Sequence, residues 1–135
     1  MECVFCRVTR GEIPSSTVHA DDQVVAFMDI APATPGHLLV VPRAHAAGLG
    51  DLDPGDAAQM MVVAQRLAGA LRTALSPAGV NLWPADGRAA GQEVFHSHLH
   101  VVPRNEGDGF TVSATFQQPA RDVLDGLAAQ VRDAL

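Results

Sequence analysis

The chain is short of several things, and each shortage narrows what it can be. Charged residues make up 18% of the 135 residues, and nine Lys plus Arg stand against fifteen Asp plus Glu, for a formal charge of −6. Soluble domains usually carry about 25% charged residues. An acidic chain (pI about 5.3) lacks the basic field that holds nucleic-acid backbones, so any phosphate it binds is met by local groups. No apolar run approaches the roughly 18 residues of a membrane span. The opening "MECVFCRVTR" carries an acid and two cysteines where a signal peptide has a basic stretch and then an apolar one. This reads as a cytoplasmic protein. Its two cysteines, Cys3 and Cys6, then read as thiols or metal ligands rather than a structural disulfide.

Repeats, low-complexity tracts and long linkers are missing too. With 47% hydrophobic residues, the composition fits one domain, 1–135, with one core. "QVVAFMDI" (23–30) has strand character, "APATPG" (31–36) breaks it, and "HLLVVP" (37–42) is a second, buried strand. The spacing predicts a helix over 53–75, with Asp53 as N-cap, Pro54 in the first turn, and Met60, Val63, Leu67, Leu71 and Ala74 on one apolar stripe. "VNLW" (80–83) and "VFHSHLHVVP" (94–103) follow as strands, separated by a Gly- and Ala-rich loop (84–92). A second amphipathic helix covers 119–135, with Val123, Leu127 and Val131 on one side. Strands, helix, strands, helix: the order predicts an α+β fold with an antiparallel sheet.

"HSHLHVV" (96–102) puts three of the six histidines at every second position. In a strand, His96, His98 and His100 share one face with Val94 and Val102, and Phe95, Ser97, Leu99 and Val101 share the core face. Three readings compete. The histidines are satisfied structural groups, or a three-His metal site, or an imidazole nucleophile with neighbours that handle protons. The Gly-rich loop before the strand can present backbone N–H groups to an anion, which favours the third. For "CVFC", a redox pair, half a zinc site and no function all remain open; no βαβ unit is evident to support the redox reading.

"HSHLHVV" together with "AAGQEVFHSHLHVVPR", "GEIPSSTVHADDQVVAFMDIAPATPGHLLVVPRAH" and "CVFC" resembles the histidine triad (HIT) family over residues 3 to about 110. The resemblance implies a HIT-like fold: an antiparallel sheet of about five strands, a long central helix and a C-terminal helix. It implies a nucleotide hydrolase or transferase that cleaves the α-phosphate bond of adenosine phosphoramidates or dinucleoside polyphosphates through a nucleotidyl-histidine and releases AMP. His98 matches the nucleophile, with His100 and His37 beside it. Asp29 matches the residue that grips the ribose. Phe5, Val8, Phe27, Ile30, Leu39 and Val94 match positions around the nucleotide, and Gln92 matches a phosphate contact. The family's bacterial-type members imply a structural zinc on Cys3, Cys6, His45 and His96, with no catalytic metal, and a homodimer to which Ala57, Met61 and Ala64 on helix 53–75 lend apolar surface. Ser97, Ala85, Asp86 and Glu93 depart from the family pattern. Ala85 leaves open a nucleotide-binding regulatory module with little turnover; a three-His metal-binding protein is the other alternative. His19 matches nothing and reads as surface.

Overall fold

The computed structural model describes residues 2–135. Five strands form one antiparallel sheet: β1 (Thr17–Ala20), β2 (Val24–Met28), β3 (Leu38–Pro42), β4 (Gly79–Pro84) and β5 (Leu99–Arg104), in the order β1-β2-β3-β5-β4. Three helices accompany it: α1 (Val4–Thr9), α2 (Pro54–Leu75) and α3 (Arg121–Asp133). The α+β architecture with a five-stranded antiparallel sheet is therefore present.

The central strands β2 and β3 are buried on both faces, which explains their unbroken apolar runs. One face packs on α2: Val24, Ala26, Leu38, Val40, Leu99 and Val101 meet Met60, Val63, Ala64, Leu67 and Leu71. The other face meets α1, where Phe5 and Val8 pack on Val25, Phe27, Leu39 and Val41. Burying each such Val, Leu, Phe or Met contributes about 1.5–3 kcal/mol, so these two clusters hold the sheet between the helices.

Helix α2 starts where its cap predicts: the Asp53 carboxylate accepts from the Gly55 N–H at 2.8 Å. It ends at Ser76 in the left-handed region (φ 49°), with Pro77 unable to continue it. The stripe is shifted at one end. Ala74 is exposed, and Ala64 is fully buried instead. Ala64 is therefore core rather than spare surface, because the residues three or four apart that face the sheet run 60, 64, 67 and 71. No helix among the described residues is long and apolar enough to cross a membrane.

Two elements lie outside the sequence reading. Helix α1 is six residues long, too short for a periodic signal, and β1 has four residues with an exposed, largely polar pattern. A third difference bears on the site. The 94–103 strand starts only at Leu99. Before it, the Ser97 N–H donates to Ala46 O at 2.7 Å, and the His98 ring donates to the carbonyl of His96 at 2.7 Å. One bond to a distant segment and one local side-chain bond take the place of the ladder. Phe95, expected in the core, is 41% exposed with Arg88 above its ring, while Ser97 is buried.

Helix α3 carries Val123, Leu124, Leu127 and Val131 on its surface and buries nothing. Its amphipathic pattern is as expected; its apolar face has no cover among the described residues.

Candidate active site and metal centre

The register of the sheet lays out the site. Phe27 pairs with Leu39, Leu39 with His100, and His100 with Trp83. Residues directly opposite across strands share a face, so these four form one row across β2, β3, β5 and β4. At about 4.8 Å per strand, the row runs about 14 Å. It floors a cavity of about 640 Å³. Phe5, Val8, Phe27, Asp29, Ile30, Leu39, Val94, His37, His98 and His100 all line that cavity. Ile30 stands at its rim, 99% exposed, rather than in the core. Trp83 and Phe110 also line it. Neither stood out in the sequence; Trp83 needed the β4–β5 register to place it beside His100.

The turn that delivers His37 depends on Gly36, whose φ is +93° and whose Cβ would lie 2.6 Å from Leu75 Cδ1. His37 then accepts the Ala33 N–H on Nδ1 at 3.0 Å. Its proton must therefore sit on Nε2, 2.9 Å from His100 Nδ1. His37 donates, His100 Nδ1 accepts, and the remaining proton of His100 is on Nε2. Asp29 Oδ2 stands 3.6 Å from His37 Nε2, and Asp29 Oδ1 accepts from the Ala31 N–H at 2.9 Å. Trp83 stacks on His100 (centroids 5.6 Å apart), and Phe110 stacks on Trp83 (5.4 Å). Burial, reinforced by His98 and His37, pushes the His100 pKa down to about 4. Burial pushes His37 down as well, with Asp29 opposing.

His98 has the complementary arrangement. Its Nδ1 donates to His96 O, which leaves Nε2 without a proton in the neutral ring. Phe5 packs edge-on against it at 5.1 Å. The pair is an unprotonated imidazole nitrogen on His98 and an N–H donor on His100, with ring centroids 4.9 Å apart.

His37 and His100 both resist protonation in the folded state, so their folded pKa values lie below the unfolded value near 6.5. Above that value both states are neutral and nothing is gained or lost. As pH falls from 6.5 towards 4, the unfolded chain takes up protons that the folded chain refuses, and stability drops. The urea midpoint is expected to fall across this window, and His100→Gln is expected to flatten the fall.

His96 does not join its two neighbours. It is fully buried and turns to the cysteines. Its Nδ1 lies 3.4 Å from Cys3 Sγ, 3.5 Å from Cys6 Sγ and 3.2 Å from His45 Nδ1; Cys6 Sγ lies 3.4 Å from His45 Nδ1. Its Nε2 lies 2.8 Å from the Pro42 carbonyl, which cannot donate, so Nε2 holds the proton and Nδ1 presents its lone pair to the sulfurs. Second partners fix metal-binding histidines in this way. Tetrahedral zinc, with bonds of about 2.3 Å to sulfur and about 2.05 Å to nitrogen, sets ligand atoms about 3.3–3.8 Å apart. The four side chains, whose ligand atoms all lie within 4.8 Å of one another, fit that donor set and spacing. Asp29, His37 and His100 also cluster, but the ring nitrogens of His37 are taken by the relay.

Gln92 is the exception among the sequence candidates. It does not line the cavity. Its Oε1 accepts from the Gly87 N–H at 2.7 Å, and its Nε2 donates to Ala47 O and Val94 O at 2.6 and 3.0 Å. Both amide hydrogens are spent, so the buried side chain pins the 84–94 loop. Gln92→Ala is expected to cost about 2–4 kcal/mol, because it orphans three backbone groups; thermal unfolding checks this. Asp86 is also turned away, accepting from the Leu49 N–H at 3.0 Å under Gly48. On this loop its carboxylate would repel a phosphate, but it does not line the cavity. Ala85 is buried at the cavity wall. His19 is partly buried and pairs with Asp21 at 2.7 Å.

The HIT domain family model matches residues 10–107. A HIT family protein from Bacillus anthracis superposes with a TM-score of 0.94 at 36% identity, covering 99% of this chain and 97% of that one. A zinc-bound histidine triad family protein from Mycobacterium smegmatis superposes with a TM-score of 0.76 at 39% identity, covering 100% and 99%. In sequence, the Arabidopsis thaliana protein named adenylylsulfatase HINT3 is 33% identical over 130 residues, 96% of this chain and 66% of that protein.

Proposed function

The chain belongs to the histidine triad family, and from that premise we propose that it is a nucleotide hydrolase or transferase that releases AMP from adenosine phosphoramidates or dinucleoside polyphosphates through a nucleotidyl-His98. One observation carries the reading: the hydrogen-bond chain leaves His98 Nε2 bare and gives His100 Nε2 a proton, side by side in one cavity. The nucleoside lies against Phe5, Val8, Phe27 and Leu39, with Asp29 accepting from the ribose hydroxyls.

In the first step, the His98 Nε2 lone pair attacks phosphorus. The P–N bond of a phosphoramidate breaks, and its electron pair goes to the amine nitrogen, which takes a proton from solvent. In the second step, water attacks phosphorus, the P–Nε2 pair returns to His98, and the proton of the water is released. His100 stays neutral and donates to the phosphoryl oxygen that gains charge. Depressed basicity keeps the His100 ring neutral, so it serves as a hydrogen-bond donor through Nε2 rather than as a cationic acid.

Cys3, Cys6, His45 and His96 would hold a structural zinc, whose chemistry is to fix the backbone at 96, the carbonyl that orients His98. No catalytic metal enters the scheme. The protein would work in the cytoplasm as a homodimer. Exposed Met61 and the uncovered face of α3 supply apolar surface for pairing, and a monomer mass in light scattering would overturn that part.

The test is AMP release from an adenosine 5′-phosphoramidate by the wild-type chain with chelator present. Release supports the hydrolase. Tight AMP binding without release moves the reading to a regulatory binding module, for which the small Ala85 wall is the motive. The sole tryptophan, Trp83, lines the cavity and reports binding by its emission.

A further inference from the structure

The cavity contains carboxylates but no lysine or arginine side chain. Among the described residues lining it, the only charged side chains are Asp29 and Glu93; no arginine is present. The chain has no lysine at all, so all nine basic residues are arginines. The arginines near the site are committed elsewhere. Arg104 binds Asp108 and Asn81. Arg88 sits over Phe95. Arg43 donates to the backbone at Asp21 and Thr9. Two of the three imidazoles do not compensate, since the Ala33–His37–His100 relay keeps His37 and His100 neutral, and the third, His98, is the nucleophile with a bare Nε2.

Asp29 is engaged with the Ala31 N–H and stands near His37. Glu93 is different. It is exposed, and no described residue pairs with its carboxylate. It reaches the cavity from the loop that carries His98, five residues further on. The row across the sheet separates the two ends of the cavity: Phe27 and Leu39 lie to one side of His100, Trp83 to the other. With the nucleoside over the first side, the group leaving from phosphorus faces Trp83.

The aromatic groups there are closed to a cation. Trp83 stacks against both His100 and Phe110, and Phe110 has the Arg104 guanidinium over its ring. With Asp29 beside His37 and set to the ribose, the carboxylate of the cavity lining left for a charged leaving group is Glu93. A polyphosphate leaving group would bring several negative charges to a site with a carboxylate and no countercharge. A leaving amine with a second, protonated amino group would bring the complementary charge.

Resting on the hydrolase reading above, we propose that Glu93 is a specificity-determining residue that selects leaving groups carrying a positive charge. The favoured substrates are adenosine 5′-phosphoramidates of diamines, whose second amino group stays protonated, over those of neutral amines, and over anionic leaving groups including polyphosphates.

Three adenosine 5′-phosphoramidates test it, made with 1,3-diaminopropane, propylamine and β-alanine, whose tails are cationic, neutral and anionic at pH 7.5. kcat/KM is measured on each for wild type, Glu93→Gln and Glu93→Asp. Intrinsic differences between the substrates, and any general loss in a variant, cancel when the cationic-to-anionic ratio of wild type is divided by that of the variant. One partly exposed ion pair changes affinity by up to about fivefold, and exchanging attraction for repulsion doubles that on a logarithmic scale. The ratio is expected to fall by about tenfold in Glu93→Gln, mostly through KM, to be largely kept in Glu93→Asp, and to shrink with added salt. An unchanged ratio with active enzyme overturns this inference and leaves the hydrolase standing. No AMP release from any of the three by wild type overturns the hydrolase reading, and this one with it.

Discussion

Replacing His98 by alanine is expected to lower single-turnover AMP release by about 10⁴-fold or more, the scale seen when a covalent nucleophile is removed. The expectation is this large because no other imidazole can substitute. His96 is buried and turned to the cysteines. His37 uses Nδ1 to accept from Ala33 and Nε2 to donate to His100. His100 has its Nδ1 occupied by His37 and a proton on Nε2. Only His98 presents a bare nitrogen to the cavity. Binding has another source, the Phe5, Val8, Phe27 and Leu39 wall, so AMP should still quench or shift Trp83 emission in the variant. Wild type quenched in alkali, where the P–N bond of a nucleotidyl-imidazole survives, should carry a nucleotidyl mass that His98→Ala lacks. Residual turnover within tenfold of wild type would remove His98 from the nucleophile's role.

The distribution of roles among the three histidines was only partly legible in the sequence. Alternation correctly suggests that His98 and His100 are neighbours, because Leu99 and Val101 do face the α2 core. It wrongly extends the strand back through His96. What decides the matter is a set of contacts with distant segments: Ala46 O for the Ser97 N–H, Pro42 O for the His96 ring, Cys3 and Cys6 for its other nitrogen. None of these has a local signature. The same limit explains Gln92, whose position beside the histidines invites a phosphate role, whereas its amide is consumed by Gly87, Ala47 and Val94. Helix α2 was legible almost to the residue, because its cap and its period of 3.6 are local properties. The Phe27–Leu39–His100–Trp83 row was not, since register between strands 60 residues apart is set by packing.

The metal centre separates the zinc reading from a metal held by all three triad histidines, and the two predict opposite outcomes from the same variants. Purified wild-type protein is expected to carry about one zinc per chain, the stoichiometry of one four-ligand site. Cys6→Ala and His96→Ala should lose it; His98→Ala should keep it. Loss should be costly for the fold, because α1 is only six residues long and is tied to the 42–46 segment and to His96 through these ligands. A site filled at about 1,000 times its Kd contributes about 4 kcal/mol, which for a chain of this length corresponds to a Tm lower by roughly 10–15 °C. Turnover should fall as well, with kcat affected more than KM: the nucleotide wall stays, while the His96 carbonyl that holds the His98 ring (2.7 Å) loses its anchor. Metal analysis and thermal unfolding read this without reference to activity. Zinc absent from wild type, or absent from His98→Ala while present in Cys6→Ala, would overturn the assignment. Acid should release the metal, since thiolates and neutral imidazoles bind zinc only after giving up protons, and the stability lost with it should appear at a higher pH in His45→Ala than in wild type, where three ligands remain to hold the ion against protons in place of four.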